Sequence, residues 1–166
     1  MRSRLKRWAR ELVIFGVLAI AISLAVDYAR RPAVADDFIS QPLHTLDGRA
    51  VDLAAMSQQR PLLIYVWATW CGICRFTTPS VASLAADGGN VVSVALRSGD
   101  GAALEQWLRH KRIAFPVVND SRGELARGWG VQVTPTLIVV SKGRVESVTS
   151  GWTSGAGMRL RLWLAS

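Results

Sequence analysis

The feature that most constrains this chain is an unbroken apolar run, Leu62–Ala68, that is followed at once by a pair of cysteines. The run reads Leu-Leu-Ile-Tyr-Val-Trp-Ala, with Pro61 directly before it. A strand of this composition is buried on both of its faces, as central strands of α/β sheets are. We therefore predict a central strand whose carboxyl end carries the cysteines.

The rest of the chain alternates between strand and helix patterns. Asp47-Gly48 is a strong hairpin signal between Leu43–Thr45 and Ala50–Leu53. The other predicted strands are Val91–Leu96, Phe115–Val118, Leu137–Val140 and Val145–Thr149. The predicted helices are Leu53–Gln59, Thr78–Ala86, Ala102–Lys111, Gly123–Trp129 and Met158–Leu164. This order predicts an α/β sandwich, with a central mixed β-sheet flanked by helices.

The charge of the chain is concentrated at its N-terminus. The 166 residues carry a net charge of +8, and residues 1–35 supply +5 of it, with seven basic and two acidic residues. The remaining residues show no stripe of Lys and Arg interleaved with aromatic residues, so a nucleic-acid partner is not expected.

The N-terminal charges flank an apolar segment in which Leu12–Val26 has Ser23 as its one polar residue. We predict a basic cytoplasmic tail at 1–11, a transmembrane anchor at 12–28, a linker at 29–42 and the main domain at 43–166. Ala33-Val34-Ala35 leaves a cleaved signal peptide as an alternative, and a buried core helix is a further one. The excess of basic residues before the segment predicts a single-pass protein of the bacterial inner membrane, with its N-terminus in the cytoplasm and its main domain in the periplasm.

The only two cysteines, Cys71 and Cys74, fall between the predicted central strand and the next helix. A thiolate at a helix N-terminus is stabilised by free backbone N–H groups and by the helix dipole. The two-residue spacing lets one helical turn bring the sulfurs together, so that Cys74 can attack a mixed disulfide formed at Cys71. Gly72 leaves room for a partner chain. The spacing predicts a redox pair in which Cys71 attacks and Cys74 resolves.

Other uses of the two cysteines fit the sequence less well. A disulfide across so short a loop adds little stability. A zinc site needs two more ligands, and neither His44 nor His110 has metal spacing. Haem attachment needs a histidine where Arg75 stands. Cu(I) binding by the two thiolates, without enzymatic turnover, stays open as an alternative. We expect no resident metal or cofactor.

Several segments together resemble the thioredoxin superfamily, and more narrowly its membrane-anchored, exported branch. They are Val66–Cys74 with Trp70 before the first cysteine, Pro79, the stretch from Phe115 to Val131, Val133-Thr134-Pro135-Thr136, and Lys142-Gly143-Arg144. Pro135 lies 61 positions after Cys74, which is similar to the cytochrome c maturation and suppressor-of-copper-sensitivity members. The Cys-Gly-Ile-Cys and Val-Thr-Pro-Thr loops are most similar to the suppressor-of-copper-sensitivity protein D type.

The resemblance implies a thioredoxin-like protein disulfide oxidoreductase. Thr134 and a cis Pro135 are expected to pair with a substrate peptide as an added strand, and Trp70, Gly72 and Ile73 to contact it. The implied partners are exported thiol or disulfide proteins and a membrane electron donor. The implied role is protein disulfide reduction related to copper stress, with reduction of apocytochrome c thiols as the alternative. A peroxidase is disfavoured because Pro61 and Thr69 do not form that family's pattern.

Two positions depart from the pattern of the resemblance. Ile73 stands where many relatives carry proline, so the thiolate pKa and the redox poise cannot be transferred. Tyr65 stands where thioredoxins often bury a carboxylic acid, so proton transfer needs water or another group, with Glu124 as one candidate. The direction of electron flow also stays open. Arg75 and the helix terminus favour an oxidising pair, whereas anchored relatives are mostly reductants.

Overall fold

The computed structural model describes residues 7–8, 10–18, 21–22 and 38–166. The chain divides into two compact units, Met1–Arg31 and Pro32–Ser166. The described residues of the first unit are helical. Among all described residues, no helix is both long and apolar enough to cross a membrane. The predicted tail, anchor and linker (1–11, 12–28 and 29–42) lie partly outside the described residues and stay predictions.

The second unit is built on a five-stranded mixed sheet with the predicted central strand in the middle. A short hairpin, β1 (Leu43–His44) and β2 (Ala50–Val51), precedes it. The sheet order is β5-β4-β3-β6-β7, with β4 parallel to both β3 and β5, and β6 antiparallel to both β3 and β7. The bounds are β3 Leu62–Trp67, β4 Val91–Leu96, β5 Val117–Asp120, β6 Thr136–Ser141 and β7 Arg144–Ser150.

Five helices cover the two faces of the sheet. They are α1 Leu53–Gln59, α2 Cys74–Ala86, α3 Gly101–Lys111, α4 Glu124–Gly128 and α5 Gly155–Leu164. Three begin at a polar side chain that accepts a hydrogen bond from a backbone N–H of the first turn: Asp52 for α1, Asp100 for α3 and Ser154 for α5. Such caps satisfy donors that a helix start leaves free, which fixes where each helix begins.

Alternate residues of β3 belong to two separate hydrophobic cores, because successive side chains of a strand point to opposite faces of the sheet. Leu62, Ile64 and Val66 pack with residues of α1 and α4. Leu63, Tyr65 and Trp67 pack with residues of α2, α3 and α5. All six side chains are buried. The predicted α/β sandwich around a mixed sheet is confirmed.

Most predicted starts lie within one residue of the observed ones, and α5 begins three residues earlier than predicted, at Gly155 rather than Met158. Two further differences involve a proline. Helix α2 begins at Cys74 rather than Thr78 and contains Pro79, so the proline lies inside the helix and not at its start. Strand β5 begins at Val117 rather than Phe115 because Pro116 has no N–H to give to the ladder. The Pro116 carbonyl still accepts a hydrogen bond from the Ser93 N–H at 2.9 Å.

The folded unit starts earlier than the predicted domain boundary at residue 43. Phe38 and Ile39 belong to a single 3₁₀ turn and are 1% and 5% exposed. The Phe38 ring meets the buried Trp129 ring edge to face, with centroids 5.2 Å apart. Residues 38–39 of the predicted linker are therefore part of the core.

Candidate active site

The end of the central strand, the start of α2 and the loop before β6 bring the predicted redox residues together. Cys71 and Cys74 form a disulfide, with their Cα atoms 5.3 Å apart. Cys74 is the first residue of α2 and is 1% exposed, whereas Cys71 is partly exposed. An external sulfur can therefore reach Cys71 but not Cys74. This asymmetry matches the roles of attacking and resolving thiol.

Two backbone groups contact the sulfur of Cys71 and act on it in opposite directions. The Cys74 N–H donates to the Cys71 Sγ at 3.2 Å, and such a bond stabilises a thiolate. The carbonyl oxygen of Thr134 lies 3.5 Å from the same sulfur. An oxygen lone pair beside a sulfur favours the protonated thiol over the anion. The reactivity of Cys71 thus depends on the loop that carries Thr134 as well as on the helix terminus.

The loop before Cys71 is held by the segment that follows β4. The Trp70 indole Nε1 donates to the Arg97 carbonyl at 3.1 Å, and the Thr69 N–H donates to the Ser98 hydroxyl at 3.0 Å. The Trp70 side chain is still 62% exposed. It is therefore fixed in orientation and open to a partner, as expected for a residue that contacts substrate.

The second loop of the site contains Thr134 and Pro135, and the peptide bond between them is cis. Thr136 closes this loop by donating its hydroxyl to the Val133 carbonyl at 2.7 Å. The Gly151 N–H donates to the Pro135 carbonyl at 2.8 Å. These bonds hold the backbone of Thr134 beside Cys71.

Gly72 and Ile73, between the two cysteines, are both exposed. Among the described residues, a Cβ added at Gly72 would meet only the Arg75 guanidinium, at 3.9 Å, so packing within the described part of the chain does not require glycine there. Ile73 is 49% exposed and has right-handed helical backbone angles, φ −72° and ψ −33°. Proline could adopt that φ, so isoleucine differs chiefly in its N–H and its shape. Their predicted contacts with substrate stay predictions.

Tyr65, at the position where thioredoxins often bury an acid, is fully buried beneath the resolving cysteine. Its hydroxyl lies 2.9 Å from the Thr78 hydroxyl and 3.4 Å from the Cys74 carbonyl. Burial raises the pKa of Tyr65 to about 12, because the phenolate would lose its hydration. Tyr65 is thus neutral at ordinary pH and cannot take a proton from Cys74. Glu124 is exposed at the start of α4, which packs beside β5.

Replacing Tyr65 by phenylalanine should remove a pH dependence of stability. The pKa of Tyr65 is about 12 in the folded protein and near 10 in the unfolded chain. Above pH 10 the unfolded chain therefore loses its Tyr65 proton first, which favours unfolding, and stability falls as the pH rises toward 12. Between pH 8 and pH 11 the unfolding free energy of the unmutated protein should fall by on the order of 1 kcal/mol more than that of Tyr65→Phe. Urea unfolding of both oxidised proteins at the two pH values measures this. If both proteins lose the same unfolding free energy between the two pH values, Tyr65 is not buried as a neutral phenol.

Two features of the site were not predicted from the sequence. The first is the contact of Thr78 with Tyr65, although Thr78 lies four residues after Cys74 and so on the same face of α2. The second is the position of Trp107, Lys111 and Arg112 near the cysteines. These residues come from the second half of α3 and its C-terminal end, and they line a cavity next to the disulfide. No local sequence pattern indicates this cavity, because it depends on how two helices pack on the sheet.

A family model covers most of the folded unit and the site within it. The model of the AhpC/TSA family matches residues 33–148, a span that includes Cys71, Cys74 and Pro135. The chain belongs to the AhpC/TSA family. A thioredoxin-like protein from Haemophilus influenzae is 43% identical to this AhpC/TSA chain over 146 residues, covering 88% of this chain and 87% of its own length. Thiol:disulfide interchange protein DsbE from Pseudomonas fluorescens biotype C is 29% identical over 150 residues, covering 86% and 84%.

Solved structures agree with the architecture of this AhpC/TSA chain. A thiol:disulfide interchange protein of the thioredoxin family from Chlorobium tepidum matches with a TM-score of 0.64 and 25% identity, over 81% of this chain and 97% of the other. StoA from Bacillus subtilis matches with a TM-score of 0.62 and 21% identity, over 75% and 95%, and shares the fold. The fold is thioredoxin-like, and this AhpC/TSA protein is a thiol–disulfide oxidoreductase with its cysteine pair at Cys71 and Cys74.

Proposed function

We propose that this oxidoreductase is a membrane-tethered reductase that opens disulfides in exported proteins. The observation that carries the proposal is the unequal exposure of the two joined cysteines, with Cys71 reachable and Cys74 buried at the start of α2. A pair built in this way forms one bond with a partner and then releases it. The relatives support the enzyme class. The reductive direction, the membrane tether and the exported substrates are our proposal.

The reduced pair would transfer two electrons in two steps. The Cys71 thiolate attacks one sulfur of the substrate disulfide, forms a mixed disulfide and expels the other substrate sulfur as a thiolate. Cys74 loses its proton and attacks the Cys71 sulfur, which releases the second substrate thiolate and leaves the Cys71–Cys74 disulfide. Because Tyr65 stays neutral, the first expelled thiolate or water is the base that takes the Cys74 proton. The substrate gains two electrons and two protons, of which one proton comes from Cys74 and the other from water.

The Thr134 carbonyl supports the reductive direction. Its oxygen beside the Cys71 sulfur opposes the stabilisation that the Cys74 N–H gives to the thiolate. A less stable thiolate means a less stable reduced pair, so the pair gives up its electrons more readily. Continuous turnover then needs an electron donor, and a tethered domain is well placed to receive electrons from a membrane protein.

Equilibration of the pair with thiol–disulfide buffers tests the direction. We expect a reduction potential near that of thioredoxin, about −270 mV. A value near that of the oxidant DsbA, about −120 mV, would mean that the protein donates disulfides and would overturn the reductive proposal. Lys142→Glu, in the turn at the far end of β6 from the site, should leave this potential unchanged.

The tether and the physiological role rest on the sequence. Residues 12–28 are proposed as a single-pass anchor in the bacterial inner membrane, with the catalytic domain in the periplasm. The resemblance of the Cys-Gly-Ile-Cys and Val-Thr-Pro-Thr loops to suppressor-of-copper-sensitivity proteins supports a role in copper stress. Reduction of apocytochrome c thiols is the second candidate, and its support is the similar spacing between Cys74 and Pro135. The proteins that form mixed disulfides with a Cys74→Ser variant distinguish the two roles.

A further inference from the structure

A cavity of about 420 Å³ opens beside the Cys71–Cys74 disulfide, between the first half of α2 and the end of α3. Both cysteines form part of its wall. The rest of the wall is largely apolar and includes Trp67, Pro79, Ala82, Trp107 and Ile113. The rings of Trp67 and Trp107 pack together with centroids 5.2 Å apart, which gives the cavity a rigid side. A cavity of this size holds a large apolar side chain with room to spare.

Three cations also line the cavity: Arg75 from α2, and Lys111 and Arg112 from the end of α3. All three are exposed. Within residues 7–8, 10–18, 21–22 and 38–166, none of them makes an ion pair. Six acidic residues elsewhere in the fold already have partners. Asp47, Asp87 and Glu105 form ion pairs with arginines. Asp52, Asp100 and Asp120 accept hydrogen bonds from backbone N–H groups. The cavity therefore combines an apolar interior with three cations that form no ion pair among the described residues, and such a cluster favours a negatively charged partner.

We infer that this cavity selects the substrate: it receives a large apolar side chain that lies close to the reacting cysteine and is accompanied by an acidic residue. The inference rests on the proposed function, because the occupant has to be present when Cys71 reacts. Burial of the apolar side chain against Trp107 and Ile113 supplies contact area. The carboxylate meets Lys111 and Arg112 at the rim, which favours acidic segments over basic ones. Partners are thus exported polypeptides with an apolar and acidic sequence around the cysteine.

Four cysteine peptides of equal length test the two parts of this preference. Each peptide carries either Trp or Ser beside the cysteine, and either Glu or Lys as the charged residue. The cysteine of each peptide is joined by a disulfide bond to an aryl thiol, which is coloured when it is released as the thiolate. The full-length Cys74→Ser protein is used so that the reaction stops after one step. The Cys71 thiolate attacks the peptide sulfur, forms a mixed disulfide and expels the aryl thiolate, whose colour gives the rate. Ratios between peptides cancel any change in the intrinsic reactivity of Cys71.

We expect the peptide with Trp and Glu to react about tenfold faster than the one with Trp and Lys at low salt. Adding Lys111→Glu should bring that ratio to one or below. The matched charge reversal Lys142→Glu should leave it unchanged, because Lys142 lies in the β6–β7 turn, about 20 Å along β6 from Pro135. Ala82→Phe, which fills the cavity, should remove the preference for Trp over Ser.

Each outcome separates this inference from the proposed function. Equal rates for the four peptides would leave the thiol chemistry intact and overturn the cavity preference. Equal effects of Lys111→Glu and Lys142→Glu would also overturn it, since the preference would then come from net charge alone. If no peptide forms a mixed disulfide, the proposed function itself fails.

Discussion

Replacing Cys74 by serine is expected to leave the protein covalently joined to its partners. In the proposed mechanism the buried Cys74 sulfur reopens the bond between Cys71 and a substrate, and serine has no sulfur with which to attack. Adducts should accumulate in intact cells and disappear when a reducing agent is added. Non-reducing gel electrophoresis of the tagged variant, followed by mass spectrometry, detects and identifies them.

The matched control is Cys71→Ser, which removes the reachable sulfur and keeps the buried one. It should form no adducts, and its rate of disulfide reduction should fall on the order of 10³-fold or more. The adducts of Cys74→Ser also test the finer proposals. Apocytochromes among the partners would favour cytochrome c maturation over copper stress, and recovery of the adducts with membranes would support the anchor. If Cys74→Ser yields no adduct and Cys71→Ser does, the assigned order of attack is wrong.

The largest effect on stability is expected from Trp129→Ala. The Trp129 side chain is 0% exposed and packs against Phe38 and the core that contains α1 and α4. Its indole Nε1 has no hydrogen-bond partner among the described residues, so the side chain contributes through packing alone. Truncation should leave a cavity and lower the unfolding free energy by about 3–5 kcal/mol. That is a large fraction of the stability of a domain of this size.

Trp163→Ala provides the comparison, because Trp163 is 70% exposed on α5. Its replacement should change the unfolding free energy by no more than about 0.5 kcal/mol. Urea unfolding of the oxidised proteins measures both variants under the same conditions. A loss below about 1 kcal/mol for Trp129→Ala would show that the contact with Phe38 does not hold the N-terminal turn in the core.

The sequence predicted the fold well where periodicity and turn residues act locally. The central strand, the Asp47-Gly48 hairpin and α1 were all found, because each follows from residues that are neighbours in the chain. The element starts near Pro79 and Pro116 were placed less well. A proline marks a missing hydrogen bond, but the partner that would have received that bond is known only from the sheet and helix packing.

The same difference between local and long-range contacts applies to the site. The pairing of Cys71 with Cys74 depends on the two-residue spacing between them and could be foreseen from the sequence. The contact between Thr134 and Cys71 followed only from a resemblance, since 63 residues separate them. The cavity between α2 and α3 could not be foreseen, because it depends on the angle at which two helices cross the sheet. No local pattern specifies that angle, so the sequence does not place Lys111 and Arg112 beside the cysteines.

The packing of Phe38 against Trp129 has a mechanical consequence. Phe38 and Ile39 are the first described residues of the second unit, and a pull transmitted to them from the N-terminal side acts on this aromatic contact. The contact lies on the face of the sheet opposite to α2, where Cys74 is packed. Tension on the N-terminal segment would therefore strain one face of the sheet while the redox pair is held by the other.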